Sequence, residues 1–388
     1  MLRLPLPRLA RTAFSCLLCL LTLFALFPAA AQQTPAAPVL AAKSWMLVEF
    51  GSGQTLTAHQ PDLRLEPASL TKLMTAYLTF SALRQKTLAL TDAITISEKA
   101  WRMGGSKMFI RVGTQVAVED LIKGMVVHSG NDASVALAEA IAGDEETFVG
   151  MMNKEALRLG MKSTRFKNAT GLPDPEHYAT ANDLALLATA LIRDFPQEYA
   201  RYYRIREFSY NNIKQPNRNR LLWLDESVDG VKTGSTDAAG FCLIASASRN
   251  GRRLLSVVLG TASDSARASE SLKLLNWGYQ AREAFRLYAA DTPVSSFKVW
   301  KGSAAEVKVG FQQRDFIISI PRGQGDKLKA ELVSRQPLIA PVQKGQAIGT
   351  LRLTLEGKPY GEYPVVALEA VGAGGWFRRL LDSIRLWF

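Results

Sequence analysis

The chain has 388 residues, 47 Lys+Arg against 35 Asp+Glu for a formal net charge of +12, a hydrophobic fraction of 47% and three cysteines. This length and balance suit two or three globular domains with ample core, and they exclude a disordered chain, a collagen and a disulfide-stapled miniprotein. The basic excess invites a nucleic-acid reading, because such a footprint finds phosphates, but the placement of the charges along the chain points elsewhere.

Residues 1–31 read as an export signal. Arg3, Arg8 and Arg11 make a basic start without an acid, Ala13 to Phe27 is an almost unbroken apolar run, and Pro28 leads into Ala29-Ala30-Ala31. Small residues at the cleavage positions fit a cut after Ala31. The apolar run falls short of the ~20 residues that a spanning helix needs, so a cleaved signal is expected rather than a membrane anchor. Cys16 and Cys19 lie inside it, leaving Cys242 alone in the mature chain. An exported protein without an intramolecular disulfide must rest on its core.

From about Ala41 to Arg286 strand-like and helix-like stretches alternate. Trp45 to Glu49 followed by Gly51-Ser52-Gly53 reads as a strand entering a hairpin. Leu70 to Leu83, Val118 to Ala142 and Asp183 to Arg193 carry apolar residues at helical spacing, Phe241 to Ser248 and Arg253 to Gly260 read as buried strands, and Ala268 to Tyr279 as a closing helix. Residues 32–290 are thus expected to form an α/β or α+β domain. After Asp291-Thr292-Pro293 the pattern becomes short strand-like runs (Glu306 to Val309, Phe316 to Ile320, Leu328 to Val333, Gly349 to Leu355, Pro364 to Leu368), which predicts a small all-β sandwich or barrel over residues 291–370. Residues 371–388 finish the chain. Val371 to Gly375 reads as a flexible glycine joint, and Trp376 to Phe388 as an amphipathic helix. Trp376, Phe377, Leu380, Leu381, Ile384, Trp387 and Phe388 fall within roughly 140° of a helical wheel, while Arg378, Arg379, Asp382, Ser383 and Arg385 take the other side. Such a helix is too short to cross a bilayer of about 30 Å and suits its interface, aromatics inward and arginines at anionic headgroups.

The chemistry-bearing residues narrow the function. His59, His128 and His177 are far apart and lack metal-site spacing, and there is no Walker loop, GxGxxG or GxSxG, so no metal or other cofactor is implied. Three short motifs do occur in order: Ser69-Leu70-Thr71-Lys72, Ser129-Gly130-Asn131 and Lys232-Thr233-Gly234. Each is weak alone. Ser295-Ser296-Phe297-Lys298 also matches SxxK, but Ser69 opens an apolar-periodic helix, which sets Ser69 and Lys72 one turn apart on one face, whereas Ser295 follows Pro293 in strand-like surroundings and is read as surface. A serine hydroxyl needs a base within hydrogen-bond reach. Lys72 can act only when neutral, which burial and a second cation, Lys232, would bring about. Ser129 is placed to relay the proton and Asn131 to hold a substrate amide, with the backbone N–H groups of Ser69 and Ser235 as oxyanion donors. His128 is read as packing.

The segments EPASLTKLMTAY, HSGNDASVALAE, PNRNRLLW and VDGVKTGSTDAAGFCLIASAS resemble the low-molecular-weight D-alanyl-D-alanine carboxypeptidases, the group that contains penicillin-binding proteins five and six. The resemblance covers nearly the whole mature chain. It implies a serine β-lactamase/transpeptidase-like catalytic domain, a small all-β domain and a C-terminal membrane-anchor helix on a periplasmic protein attached to the outer face of the cytoplasmic membrane. It also implies an acyl-enzyme mechanism on peptidoglycan stem peptides, a role in cell-wall biogenesis and cell shape, and inhibition by β-lactams. Carried over by motif, Ser69 is the nucleophile, Lys72 the base, and Ser129 and Asn131 the second element. Lys232, Thr233, Gly234 and Ser235 line the site, Arg267 meets the substrate's terminal carboxylate, and Arg218 helps shape that wall. Nucleic acid is not an expected partner.

Two departures bear on turnover. Ser235 stands where some members of the family carry histidine, and no glutamate-centred ExxLN element lies between Asn131 and Lys232, Glu155-Ala156-Leu157-Arg158 ending wrongly. Class A β-lactamases use such a glutamate in deacylation, so β-lactams are expected to be held as slow inhibitors. The competing readings are an endopeptidase or β-lactamase on the same fold, and a catalytically idle wall-binding protein.

Overall fold

The structure, a computed structural model, describes residues 35–334 and 336–387. The expected signal with Cys16 and Cys19, and the terminal Phe388, lie outside the described residues.

Five strands near the start and middle of the chain form one antiparallel sheet: β1 (Ser44–Glu49), β2 (Thr55–His59), β3 (Val228–Thr236), β4 (Gly240–Arg249) and β5 (Arg252–Thr261), in spatial order β2-β1-β5-β4-β3. β1 and the central parts of β4 and β5 are buried because both faces of the sheet are covered there. Alternate residues serve different cores: Met46, Val48, Ile244 and Val257 face a large helical core, while Trp45, Leu47, Leu243 and Val258 face the helix Asp264–Ala281 through Leu274 and Leu275.

The helical layer is built around α1 (Lys72–Gln85), whose first nine residues, Lys72 among them, are all buried. The expected helix from Val118 to Ala142 is in fact two, α2 (Val118–Val127) and α3 (Asn131–Ala142). Between them Ser129 takes a left-handed conformation, φ 60°, which no helix can continue through. With α4 (Glu145–Arg158) and α5 (Ala181–Asp194) these helices enclose α1. The helix on the opposite face of the sheet is α6 (Asp264–Ala281), with Ser263 as N-cap accepting from Ala266 N.

The second region is built of strands, with one 3-10 turn at Gly325–Lys327. β6 (Arg282–Tyr288), which the sequence pattern left within the end of the helical region, pairs with β9 (Phe316–Pro321). β7 (Pro293–Lys298), β8 (Glu306–Gly310), β10 (Leu328–Ser334), β11 (Ala347–Leu355) and β12 (Lys358–Ala367) make a sheet of order β7-β8-β12-β11-β10. Inward residues such as Phe297, Val307, Val309, Ile318, Leu351 and Val365 form its core.

The chain ends in α7 (Trp376–Arg385), the expected amphipathic helix, but the glycine stretch before it is not a free joint. Val371 and Ala373 make bridges to Val342 and Gly302, and Gly374 N donates to Lys301 O at 2.8 Å. Asp382, on the polar side of α7, is buried and accepts from Lys301 N at 2.7 Å, while Trp376, Phe377, Leu380, Leu381, Ile384 and Trp387 are exposed. Among the described residues no helix is long and apolar enough to cross a membrane.

One arginine ties these layers together. Arg252 Nε donates to Glu49 Oε2 at 2.8 Å, Nη1 to the Gly278 and Arg282 carbonyls, and Nη2 to Ser319 Oγ at 2.7 Å, joining β5, β1, α6 and β9. Glu49 is 1% exposed, and burial pushes its carboxyl pKa up against the pull of Arg252. Removing the cation strands a buried carboxylate. Arg252→Met is therefore expected to lower the unfolding free energy at pH 7 by about 3–5 kcal/mol in urea titration, and the double substitution Glu49→Gln/Arg252→Met to recover part of that loss.

Candidate active site

Ser69 lies in a single 3-10 turn, Ala68–Thr71, directly before α1. Ala68 adopts φ 48°, a left-handed conformation unfavourable for a residue with a side chain, so the turn is held by its surroundings rather than by local preference. It leaves Ser69 half-buried at the mouth of a buried helix. One turn on, Lys72 is 1% exposed. Its Nζ lies 3.0 Å from Ser69 Oγ, 2.7 Å from Asn131 Oδ1 and 2.6 Å from the Thr170 carbonyl. Burial lowers its pKa from 10.5 to about 7, with Asp132 pulling the other way. Two of the three neighbours, Asn131 Oδ1 and Thr170 O, can only accept. A neutral Lys72 keeps its two N–H bonds on them and turns its lone pair to the Ser69 hydroxyl.

The second lysine closes the opposite side. Lys232 Nζ donates to Ser129 Oγ and to the Thr233 carbonyl, both at 2.9 Å. Burial, then the charges of Lys72, Arg267 and Arg218, hold its pKa well below the ordinary lysine value. The break between α2 and α3 is what aims Ser129 at this amine, and Asn131, the first residue of α3, is aimed at Lys72 and steadied by its Nδ2 donating to Gly104 O at 2.7 Å.

β3 carries Lys232, Thr233, Gly234 and Ser235 as the edge strand of the sheet, paired with β4 on one side only. The Ser69 turn packs closely against this strand at Gly234. A Cβ on Gly234 would fall 3.0 Å from both Ser69 N and the Pro67 carbonyl, so only glycine lets strand and turn approach this closely. Gly171 does the same from another loop: its φ is +85°, and a Cβ there would overlap the Ala68 carbonyl at 1.8 Å. Ser235 is exposed at the strand's outer end.

Arg267, on the first turn of α6, is 6% exposed and reaches the same end of β3, donating to the Gly234 carbonyl at 3.2 Å and to Asp264 Oδ1. Arg218 is exposed, and its charge bears on Lys232, Arg267 and His128. The structure thus sets two hydrogen-bonded clusters side by side, Lys72 with Ser69 and Asn131, and Lys232 with Ser129, with Thr233 to Ser235 and Arg267 next to them and Arg218 exposed at the rim. Ser295, the other SxxK serine, lies in β7 of the second region. His128 hydrogen-bonds the Phe208 carbonyl and Gln215, securing the hairpin Glu207–Pro216 against the Ser129 turn.

Several supporting residues escaped sequence reasoning. Asp132 is buried and accepts from the backbone N–H groups of Met108, Phe109, Ile110 and Ala133, fixing the loop that faces α3. Asn168 holds the Thr170 loop by accepting from Thr170 N and Gly171 N. His177, whose pKa burial lowers to about 4, meets Thr71 Oγ1 at 2.9 Å beneath the Ser69 turn. An acid immediately after SxN was a readable signal for Asp132; Asn168 acts on residues two and three positions on, in a loop that carried no motif, and His177 depends on a contact across 106 residues.

Comparison with known proteins agrees with this geometry. The D-alanyl-D-alanine carboxypeptidase family matches residues 31–263, and the penicillin-binding protein 5 C-terminal domain matches residues 283–373. D-alanyl-D-alanine carboxypeptidase DacC of Escherichia coli strain K12 is 43% identical over 367 residues, 92% of this chain and 91% of the relative. Penicillin binding protein 5 from Haemophilus influenzae superposes with a TM-score of 0.79 at 42% identity, covering 87% of this chain and 99% of that one. Penicillin-binding protein D2 from Listeria monocytogenes, solved in an ampicillin-bound form, gives a TM-score of 0.58 at 30% identity over 63% of this chain and 100% of its own. With both family domains in register and a relative alike over nearly its full length, the chain belongs to the D-alanyl-D-alanine carboxypeptidases, in the group that carries the penicillin-binding protein 5 type of C-terminal domain.

Proposed function

We propose that the protein is a serine-type D-Ala-D-Ala carboxypeptidase that removes the terminal D-alanine from peptidoglycan stem peptides through an acyl-enzyme. The observation that carries this reading is the Ser69–Lys72 pair, 3.0 Å apart, with the lysine buried and its pKa near 7. Lys72 takes the Ser69 proton as Oγ attacks the scissile carbonyl. The oxyanion that forms is met by the backbone N–H groups of Ser69 and Ser235, on the turn and strand that Gly234 brings together. The peptide lies along the free edge of β3, where unpaired backbone groups suit an extended chain, with Asn131 on its amide and its terminal carboxylate at Arg267. Ser129, hydrogen-bonded to Lys232, carries the proton to the departing D-alanine, and water then releases the shortened peptide.

β-Lactams acylate Ser69 by the same route, in line with the ampicillin-bound relative. Glu155, the nearest candidate for a β-lactamase-type deacylating acid, pairs instead with Arg158 on α4, so the penicilloyl enzyme turns over slowly. The catalytic domain closes with α6, and the β domain begins with β6, ahead of the boundary at residues 290–291 that the sequence pattern suggested. After export and cleavage of its signal the protein stays at the outer face of the cytoplasmic membrane, in the periplasm, held by α7, where exposed aromatic and aliphatic side chains enter the interface and arginines meet anionic headgroups. An idle wall-binding role would give Lys72 no reason for its burial.

Ser69→Ala is expected to abolish both D-alanine release from a peptide ending in D-Ala-D-Ala and covalent labelling by fluorescent penicillin; release equal to wild type would refute the assignment. Because Lys72 acts only without its proton, kcat/KM for acylation should rise with pH and level off above about 7, falling about tenfold per pH unit well below it. A stopped-flow profile with no acid limb between pH 5 and 8 would contradict this. Deleting residues 376–388 should move the protein to the soluble fraction and leave kcat/KM on a soluble peptide unchanged; sedimentation with membranes after the deletion would argue against α7 as the anchor.

A further inference from the structure

A carboxylate of the protein already stands where the reading above brings the substrate's terminal one. Arg267 has two kinds of support. Its Nη1 donates to the Gly234 carbonyl and its guanidinium lies over the Phe241 ring, 5.6 Å from the centroid, while Nη2 goes to Asp264 Oδ1. The carbonyl and the ring hold the buried guanidinium in place, so Asp264 is not needed to aim it. Asp264 opens α6 one turn before Arg267, and its side chain is 42% exposed. Its other oxygen, Oδ2, lies 3.7 Å from Nη1 of Arg220, which is itself 57% exposed. One carboxylate is thus shared between a buried guanidinium inside the site and an exposed one at the end of the PNRNR segment.

We propose that Asp264 is a specificity-determining residue that stands in for the substrate carboxylate on Arg267 in the free enzyme and moves onto Arg220 when substrate binds. Without it, Arg267 would face the empty site as an unpaired buried cation close to Arg218 and Lys232. An arriving carboxylate needs the guanidinium end that Asp264 occupies, and two carboxylates in contact repel. A small swing of Asp264 turns its loose 3.7 Å approach to Arg220 into a direct ion pair, so the exchange leaves every charge partnered. A substrate ending in an amide brings no charge for Arg267 and leaves Asp264 in place. Recognition of a free C-terminus is then an exchange of anions rather than a simple attraction. The inference rests on the assignment of Arg267 to the substrate carboxylate.

The test is KM and kcat for a soluble D-Ala-D-Ala peptide and for its C-terminal amide, on the full mature chain with penicillin labelling as the check on folding. Asp264→Asn should lower KM for the free acid by roughly threefold to tenfold and leave that for the amide unchanged. Arg220→Ala should raise KM for the acid, and the double substitution Arg220→Ala/Asp264→Asn should behave like Asp264→Asn alone. An unchanged or raised KM for the acid in Asp264→Asn overturns the proposal, as does a double variant that follows Arg220→Ala. Arg267→Ala and Arg267→Lys separate the two levels: if both still prefer acid over amide as strongly as wild type, the assignment of Arg267 fails. If they lose the preference while Asp264→Asn shows no gain, only the stand-in role fails.

Discussion

Lys72 Nζ is held where water does not reach, and Ser69 Oγ, Asn131 Oδ1 and Thr170 O must supply all of its hydrogen bonds. Moving a lysine pKa from 10.5 to about 7 disfavours the charged amine by about 5 kcal/mol. The unfolded chain keeps that proton across the window from pH 7 to 10.5 and the folded chain does not, so for this group stability rises with pH over that range. The loss of the proton is therefore driven by burial, against the pull of Asp132, and the second cation that the sequence suggested, Lys232, is not among its causes. It requires a central helix walled by its neighbours, with an amide at the start of α3 and a loop carbonyl as the amine's partners.

The larger architecture answers those requirements. Packing the sheet on both faces frees α1 to run through the middle of the helical core, which is why its first nine residues are all buried. The strand order then places β3 at an edge, so that the strand bearing Lys232 has one side fixed by β4 and the other unpaired, close to the Ser69 turn. Two glycines set the distances: Gly234 lets β3 close on the turn, and Gly171 lets the Thr170 loop reach Lys72 across the Ala68 carbonyl. The left-handed conformations of Ala68 and Ser129 fall at the two serines of the site, the places where regular helix would turn the hydroxyls away.

Much of this was legible in the sequence, for reasons that can be named. Apolar runs long enough to be covered on two faces marked β4 and β5, a hairpin turn marked β1 and β2, and the ordered motifs singled out the residues that now meet. What escaped was of two kinds. One was the break at Ser129 between α2 and α3, marked only by the polar run His128 to Asp132, which the apolar residues on either side made easy to read as part of one long helix. Polar contacts between segments distant in the chain, such as Arg252 with Glu49 and Ser319, or Thr71 with His177, depend on which faces pack and leave no local pattern. The glycine stretch at residues 371–375 misled in a third way: its composition suits a free linker, but the same residues allow the close backbone approach seen at Gly374 and Gly302.

Four of the buried acids share a habit, whereas Glu49 pairs with Arg252. Asp132 takes four backbone N–H groups, Asp183 that of Ser163, Glu145 that of Ala169, and Asp382 that of Lys301. Each pins a loop to a helix from inside through backbone N–H groups, and Glu145 pairs with Lys99 as well. Acids committed in this way do little to neutralise the outer surface or the active site. Lys232, Arg218 and Arg267 then stand close together at the candidate site, and on α7 the one acid is turned inward. Because that acid is the buried point of contact between α7 and the β domain, the helix presents its apolar side outward in an orientation set by the fold, and the same inward carboxylate both holds the helix and leaves its arginines unopposed.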